Sequence, residues 1–154
     1  MSNKLRAAGM LSLLLIAGAV LAAKELELVD ADANGVVLQG YDPVAYFTGD
    51  TAVKGNDKYQ ATYKGGTYYF ASAANRKLFK RDPAKYAPQY GGYCAMAVAM
   101  GRLEDADPKM FVIHNSRLLV QHNEKAHAMF MSNPDGFHHK ADEQWPALLE
   151  KNGR

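Results

Sequence analysis

Hydrophobic and polar residues alternate along two separate stretches of the chain. Residues 59–63 read Tyr-Gln-Ala-Thr-Tyr, and an aromatic run at 67–70 follows the glycine pair Gly65-Gly66. Two further apolar runs, at 110–113 and 118–121, flank a short Asn-Ser turn. A period of two residues places alternate side chains on opposite faces of a strand, and turn residues between two such runs favour a hairpin. The pattern therefore predicts two β-hairpins.

The segments around the hairpins have helical patterns. Asp42 precedes Pro43, which favours a helix start, and Ser72 precedes a helical segment that Pro83 should break or restart. Further short helices are predicted in segments 91–102, 124–133 and 137–151. The expected fold is a small single domain of the α+β class, with two β-hairpins forming an antiparallel sheet packed against short helices.

Residues 1–23 differ in composition from the rest of the chain. Lys4 and Arg6 stand near the start without an acidic residue, an apolar run follows from Met10, and small residues end the segment. These features are typical of a secretory signal peptide, and the apolar run is shorter than the ~20 residues that span a bilayer. We therefore expect removal of this segment, no stable membrane anchor, and a periplasmic or secreted domain of residues 24–154.

The charge balance excludes one class of partner. The chain has 18 basic and 16 acidic residues, and two of the basic residues belong to the predicted signal peptide. The mature domain is therefore close to neutral. Nucleic-acid binding depends on basic surface that displaces counterions, so no nucleic-acid partner is expected.

Residues 63–86, YKGGTYYFASAANRKLFKRDPAKY, resemble the YHS domain, a small module found in metal-handling proteins and as exported stand-alone domains. The resemblance rests on the Tyr63-x-Gly65 turn, the aromatic strand at 68–70, Ser72, Phe79 and the ending Asp82-Pro83-x-x-Tyr86. The flanking GYDPVAYFTG and APQYGGYCA are similar to the longer exported variety. The resemblance implies one YHS-like domain over residues 24–154, of the exported stand-alone type, with a metal-associated role.

The chain departs from the metal site that this resemblance implies. Metal-handling members typically carry cysteines at the end of the aromatic strand and one turn into the helix, where this chain has Ala71 and Asn75. The histidine of the name-giving Tyr-His pair falls on Lys64. A methyl group, an amide and a charged ammonium are poor ligands for the metals concerned. Any metal site must therefore use other residues.

Cys94 is the only cysteine and the first candidate for such a site. It cannot form an internal disulfide, which leaves an intermolecular bridge, a buried thiol, a metal ligand or a redox centre. Thiolate and thioether donors favour Cu(I), and Met96 and Met100 follow closely. On a helix the methionines share a face and Cys94 does not, unless it lies in a non-helical turn after Gly91-Gly92. Core packing is the alternative for all three residues.

All five histidines lie in the C-terminal third of the chain: His114, His122, His127, His138 and His139. Their spacing matches no zinc-binding motif, which favours structural histidines. His114 is the exception, because it follows an apolar strand whose hairpin could bring it against the Cys94 segment. A Cys/His pair would lower the pKa of the thiol and create either a metal site or a reactive thiolate.

These residues lead to three hypotheses about function. The first is a non-enzymatic metal-binding or metal-handling module, with copper favoured, centred on Cys94 and with His114, Met96 and Met100 as further donors. The second is a small-ligand or protein-interaction module with a structural buried cysteine and no metal. The third and least favoured is a thiol-dependent enzyme in which His114 serves as the base. The expected partners are a metal ion or a small ligand, with a partner protein or a homodimer as further options.

Overall fold

The structure is a computed structural model that describes residues 24–154, so the predicted signal peptide lies outside the described residues. In this part of the chain the helices and strands follow in the order α1 (Ala45–Gly49), β1 (Asn56–Tyr63), β2 (Gly66–Phe70), α2 (Ala73–Arg81), α3 (Pro83–Tyr86), α4 (Ala95–Ala99), β3 (Asp107–His114), β4 (Arg117–Gln121), α5 (Glu124–Met131) and α6 (Pro134–Asn152). None of these helices is both long and apolar enough to cross a membrane.

Both predicted hairpins are present, and the α+β class is confirmed. β1 and β2 pair antiparallel across Lys64-Gly65, whose φ angles are 44° and 77°. β3 and β4 pair in the same way across Asn115-Ser116, at 51° and 60°. Two consecutive left-handed residues match the twist that a two-residue hairpin turn requires. Each hairpin forms its own two-stranded sheet.

Strand β4 lies between two buried clusters. Its Leu118 and Val120 pack in the first cluster, which also contains Phe79 from α2. Its Leu119 packs in the second cluster with Phe130 and helix α4. Successive strand residues point to opposite faces, so one strand contributes to both clusters. The first cluster combines residues of both hairpins and α2 with residues of the segment 37–46, whereas the second is built around α4, α5 and α6.

Side-chain caps set the starts of the helices that carry the site. The predicted cap at Ser72 is confirmed: its Oγ accepts a hydrogen bond from the amide of Asn75 at 3.1 Å, at the start of α2. Asn133 Oδ1 accepts from the amide of Gly136 at 3.1 Å. This cap lets α6 begin at Pro134, three residues before the predicted start, because proline suits the first turn of a helix.

The first described residues lie against the C-terminal half of the chain. Gly91 has a φ angle of 61°, and a Cβ atom there would overlap the carbonyl oxygen of Leu28, so glycine permits this close approach. The amide of Asp30 donates to the Gly91 carbonyl at 2.9 Å. Glu27 and Arg154 exchange two backbone hydrogen bonds, at 3.1 and 2.9 Å. These contacts tie the two ends of the described chain together.

Candidate functional site

Two of the three positions at which the resemblance implies metal ligands, Ala71 and Asn75, belong to a hydrogen-bond network around Asp42. This carboxylate is fully buried, with 0% of its surface exposed. Its Oδ2 accepts hydrogen bonds from the Ala71 amide at 2.8 Å and from Asn75 Nδ2 at 2.7 Å. Its Oδ1 accepts from the Val44 amide at 2.8 Å. The predicted helix start at Asp42-Pro43 is shifted, because α1 begins at Ala45 with Val44 as its cap residue and without a side-chain cap. Three donors satisfy the buried charge, as a stable buried carboxylate requires.

Lys64, at the third of these positions, lies apart from that network. Its side chain is 48% exposed, and Nζ donates to Glu25 Oε1 at 2.9 Å. The hydrogen bond to Glu25 raises the pKa of Lys64, so this ammonium stays protonated. A protonated amine has no lone pair for a metal ion. None of the three positions therefore offers a ligand.

Cys94 is a buried residue at the beginning of α4. None of its surface is exposed, and it is the cap residue of the helix, with non-helical backbone angles of φ −55° and ψ 115°. Its Sγ accepts from the amide of Ala97 and contacts Gln121 Oε1, both at 3.5 Å. Burial raises the pKa of the thiol. A protonated, enclosed thiol is a poor nucleophile.

The two methionines near Cys94 occupy different environments. Met96 is 4% exposed and packs in the second cluster with Cys94, whereas Met100 is 56% exposed. The difference arises because α4 ends at Ala99, so that Met100 is already the residue that terminates the helix. The structure brings Cys94 and Met96 into one cluster and leaves Met100 at the surface.

His114, the last residue of β3, makes its polar contacts with α6. Its Nδ1 lies 2.7 Å from Nδ1 of His138, and its Nε2 lies 3.0 Å from Asp135 Oδ1. The rings of the two histidines have centroids 5.0 Å apart at an interplanar angle of 58°. The hairpin thus brings His114 to another histidine, while the side-chain hydrogen bonds of Cys94 go to Gln121 and Ala97.

His138 is buried and has an unused nitrogen. It is 3% exposed, and its Nε2 has no hydrogen-bond partner among residues 24–154. Sequence reasoning did not select His138, because its neighbour His139 suggested a pair of divergent surface side chains. A signal was nevertheless present: His138, Ala141 and Leu148 are the buried residues of α6, and their spacing of three and seven is that of one helix face.

A single proton lies between the two rings. Two nitrogen lone pairs cannot face each other at 2.7 Å, so one Nδ1 carries a hydrogen and the other accepts it. Nε2 of His114 is placed to donate to Asp135 Oδ1 at 3.0 Å. The tautomer of the pair decides whether the buried Nε2 of His138 is a lone pair or an N–H group, and in both cases this atom has no partner in the described part of the chain.

An ion-paired cluster lies beside this histidine pair. Arg117 donates to both carboxylate oxygens of Asp142, at 2.7 and 2.8 Å, and the hydroxyl of Tyr90 donates to Asp142 Oδ1 at 2.7 Å. Arg117 lowers the pKa of Asp142 and keeps it ionised. Burial first, and then the positive charge of Arg117, lower the pKa of His138. The ring of His138 is therefore held neutral, which is the form that binds metal ions.

Few side chains near the histidine pair could serve as metal ligands. In the part of the chain that the structure describes, no group of three or more His, Cys, Asp or Glu side chains is placed to hold one metal ion. Two imidazoles can still bind an ion whose remaining positions are filled by water or by a partner molecule.

Comparison with protein families finds a match to the YHS domain over residues 44–90. The matched segment contains Ala71 and Asn75, whereas Cys94, His114 and His138 follow it in the chain. Neither the curated proteins nor the solved structures provide a match.

Proposed function

Residues 44–90 are a YHS domain, and from this premise we propose that the chain is a non-enzymatic metal-handling module that binds copper through His114 and His138. The observation that carries the proposal is the distance of 2.7 Å between the two Nδ1 atoms. Imidazole nitrogen is a common ligand for copper, nickel and zinc. In this proposal the metal ion takes the place of the hydrogen between the two Nδ1 atoms. That hydrogen passes to Nε2 of His138, so each ring binds as a neutral imidazole with its N–H at Nε2.

The order of metal affinities favours copper(II). Imidazole nitrogen suits both copper and zinc, and copper(II) stands above zinc in the general order of divalent metal affinities. The two rings must turn for either ion, because nitrogens hydrogen-bonded at 2.7 Å point at each other and not at a common third atom.

Asp135 supports the assignment of His114 as a ligand. Metal-binding histidines usually donate their second ring N–H to a carboxylate or carbonyl, which fixes the tautomer and orients the ring. Asp135 Oδ1 lies 3.0 Å from His114 Nε2 and is in position for this role. The side chain of His114 is 16% exposed, which gives an ion a route to the otherwise buried pair.

The burial of Cys94 favours a packing role for this residue within the same module. Its sulfur is enclosed with protein partners, and Met100 is at the surface. A Cu(I) site at Cys94, Met96 and Met100 would require α4 to rearrange. A thiol enzyme is disfavoured because the raised pKa keeps the sulfur protonated.

We also propose that the module acts outside the cytoplasm. This part of the proposal rests on the composition of residues 1–23, with two basic residues before a short apolar run. Expression of the full chain followed by intact-mass measurement of the product tests it. Loss of about 23 residues is the expected result, and an uncleaved product would contradict it.

A competitive titration with Cu(II) tests the metal site. We expect His114→Ala to weaken Cu(II) binding at least about 100-fold. Substitution of a residue that only orients a ligand lowers metal affinity about 10- to 100-fold, and loss of the ligand itself should lower it further. His138→Gln should do the same while preserving the volume of the buried ring. The matched control is His139→Ala, since His139 is 75% exposed and pairs with Glu143. Binding that survives both ligand substitutions would overturn the proposal.

A parallel titration with Cu(I) separates this site from the alternative at Cys94. If Cys94 is structural, the wild-type and Cys94→Ser proteins should bind Cu(II) with the same affinity, and they should also bind Cu(I) with the same affinity. A loss of Cu(I) binding in Cys94→Ser alone would support the thiolate-centred alternative. Failure of the wild-type protein to bind either ion would favour the small-ligand or protein-interaction function.

A further inference from the structure

The two outer edges of the first hairpin differ. The outer edge of β2 is covered, because the carbonyl of Thr67 accepts a hydrogen bond from the amide of Val37 at 2.9 Å and its amide donates to the carbonyl of Gly35 at 2.8 Å. Among residues 24–154, β1 pairs with β2 alone. The other edge of β1 is therefore free, and a free edge presents backbone groups that can pair with a further strand.

The pairing of Thr62 with Thr67 shows which backbone groups face the free edge. Two residues opposite each other in an antiparallel ladder either exchange both hydrogen bonds or point both groups away from each other, and the two kinds of pair alternate. Thr62 lies opposite Thr67, whose amide and carbonyl are both used on the far side. The amide and carbonyl of Thr62 therefore point to the free edge, and the alternation gives Gln60 the same orientation.

A groove of about 490 Å³ follows this edge. It is lined by six residues of three elements: Gln60, Ala61 and Thr62 of β1, Phe79 and Lys80 of α2, and Pro83 of α3. Consecutive strand residues point to alternate faces, so a groove that touches three of them runs along the strand backbone. Ala61 and Pro83 are half-buried, and Phe79, at 1% exposure, closes the floor. The groove thus offers backbone hydrogen-bonding groups beside an apolar surface.

The surface beside the groove is basic. Residues 76–85 contain five basic residues and a single acidic one, and none of the five forms an ion pair with another described residue. Arg76 and Lys80 lie one turn apart on α2. The guanidinium of Arg76 lies 5.9 Å from the ring centroid of Tyr59 in β1, and Lys80 lines the groove. Both cations therefore border the free edge.

We propose that this groove binds an acidic segment of a partner protein as an added strand beside β1. Hydrogen bonds to the backbone of Gln60 and Thr62 supply the affinity. Alternate side chains of the added strand lie beside Arg76 and Lys80, which select carboxylates. A second copy of this chain fits less well, because a two-fold contact through β1 brings the same basic residues together. Residues 1–23 also fit less well, because both of their charged residues are basic.

Fluorescence anisotropy of a labelled six-residue peptide of alternating glutamate and threonine tests the proposal. As an added strand, this peptide can turn its glutamates toward α2 and its threonines toward the opposite face, beside Gln60 and Thr62. The same peptide with every backbone amide N-methylated keeps the charge but has no backbone donors. We expect saturable binding of the first peptide and at least roughly tenfold weaker binding of the second.

The groove uses neither residue of the histidine pair. The peptide titration is therefore performed with a chelator present, and His114→Ala should give the same affinity as the wild-type protein. Failure of copper binding and failure of peptide binding are thus separate results.

Amide hydrogen exchange locates the bound peptide. The amides of Gln60 and Thr62 should exchange rapidly in the free protein and at least about tenfold more slowly at saturating peptide, because they become hydrogen-bonded. The amide of Thr67, which already donates to Gly35, should not change. Unchanged exchange at Gln60 and Thr62 in the peptide-saturated protein would overturn the proposal.

Matched substitutions test the edge and the charge. Thr62→Pro removes the outward amide at a position where an edge strand tolerates proline, and it should weaken peptide binding at least about fivefold. Lys80→Gln should weaken binding about threefold through loss of a partly screened charge. Lys125→Gln, which changes an exposed lysine of α5, should leave it unchanged. If Thr62→Pro does not fold, the comparison of the two peptides on the wild-type protein decides.

Two further outcomes would contradict the proposal. The first is no saturable binding at millimolar peptide, or equal affinity for the two peptides, because the basic surface would then attract charge without adding a strand. The second is a dimer that forms without peptide and is lost in Thr62→Pro, which sedimentation equilibrium detects. That result would assign the edge to a second copy of the chain.

Discussion

Asp42 and His138 are both buried polar groups, and their surroundings differ in one decisive respect. Asp42 accepts three hydrogen bonds from Val44, Ala71 and Asn75. His138 has one ring nitrogen against His114, and the other has no partner in the described part of the chain. Buried polar groups are almost always hydrogen-bonded, so such an atom calls for an explanation; in residues 24–154 His138 Nε2 shares this state with Gln121 Nε2 and His127 Nδ1. A satisfied network stabilises a fold, whereas a histidine pair with only one hydrogen bond between its rings leaves room for a ligand at the two Nδ1 atoms.

The comparison separates the framework from the site. Ala71 and Asn75 of the Asp42 network lie in the segment that matches the YHS domain, and the network joins the start of α1, the end of β2 and α2. The histidine pair lies outside the YHS segment, where the second hairpin meets α6. The metal-binding capacity of the chain is therefore expected in its C-terminal half, and each prediction below tests one side of this division.

The largest expected effect is on stability, at Asp42. Asp42→Ala leaves three donors, two of them backbone amides, without their acceptor in a closed site. Each unsatisfied buried donor costs about 1–3 kcal/mol before relaxation, and we expect a loss of about 3 kcal/mol in the free energy of unfolding after relaxation. Urea denaturation measures it.

The control for Asp42 is Asp57→Ala, which removes an exposed carboxylate in β1 and should change the stability by less than about 0.5 kcal/mol. The folded fraction of Asp42→Ala should bind Cu(II) with the affinity of the wild-type protein. A lower affinity in that fraction would show that the Asp42 network and the histidine pair do not act separately.

A smaller effect is expected at Asp135. Asp135→Asn retains the shape of the side chain but weakens the hydrogen bond that orients His114. We expect the Cu(II) affinity to fall about tenfold, at the lower end of outer-shell effects, because the side chain of Asp135 is 88% exposed. Glu143→Gln, beside the exposed His139, is the matched control. An unchanged Cu(II) affinity in Asp135→Asn would mean that packing alone orients the His114 ring.

The smallest effect is expected at Cys94. Cys94→Ser preserves a side-chain acceptor at the start of α4 and should change the stability near neutral pH by less than about 1 kcal/mol. Reaction of the wild-type thiol with a thiol reagent should be slow until the protein unfolds, because the sulfur is buried. Rapid labelling of the folded protein would contradict a packing role for this residue.

The pH dependence of stability gives a second test at Cys94. Burial raises the pKa of the folded thiol, so its contribution to stability is fully present below the unfolded pKa of about 8.5. That contribution is lost as the pH rises through the folded pKa, because the unfolded state then ionises more readily. The wild-type protein should therefore lose stability above about pH 8.5 by more than Cys94→Ser does.

The sequence predicted those parts of the molecule that depend on local patterns. The alternation in β1 and the Ser72 cap are determined by neighbouring residues, and both are confirmed. The link between Asp42 and Asn75 could not be predicted, because it joins residues 33 positions apart through the packing of α2. The sequence pattern indicated His114 as a candidate ligand because it follows an apolar strand. Its partner His138 was not predicted, because only the tertiary structure places α6 beside β3.

The electron paramagnetic resonance spectrum of the Cu(II)-loaded protein tests the central claim most directly. If His114 and His138 hold the ion, the spectrum should show a tetragonal site with nitrogen couplings from two imidazoles. His114→Ala should remove one of these couplings, and His139→Ala and Cys94→Ser should leave the spectrum unchanged. An unchanged spectrum in His114→Ala, or sulfur ligation that disappears in Cys94→Ser, would contradict the account.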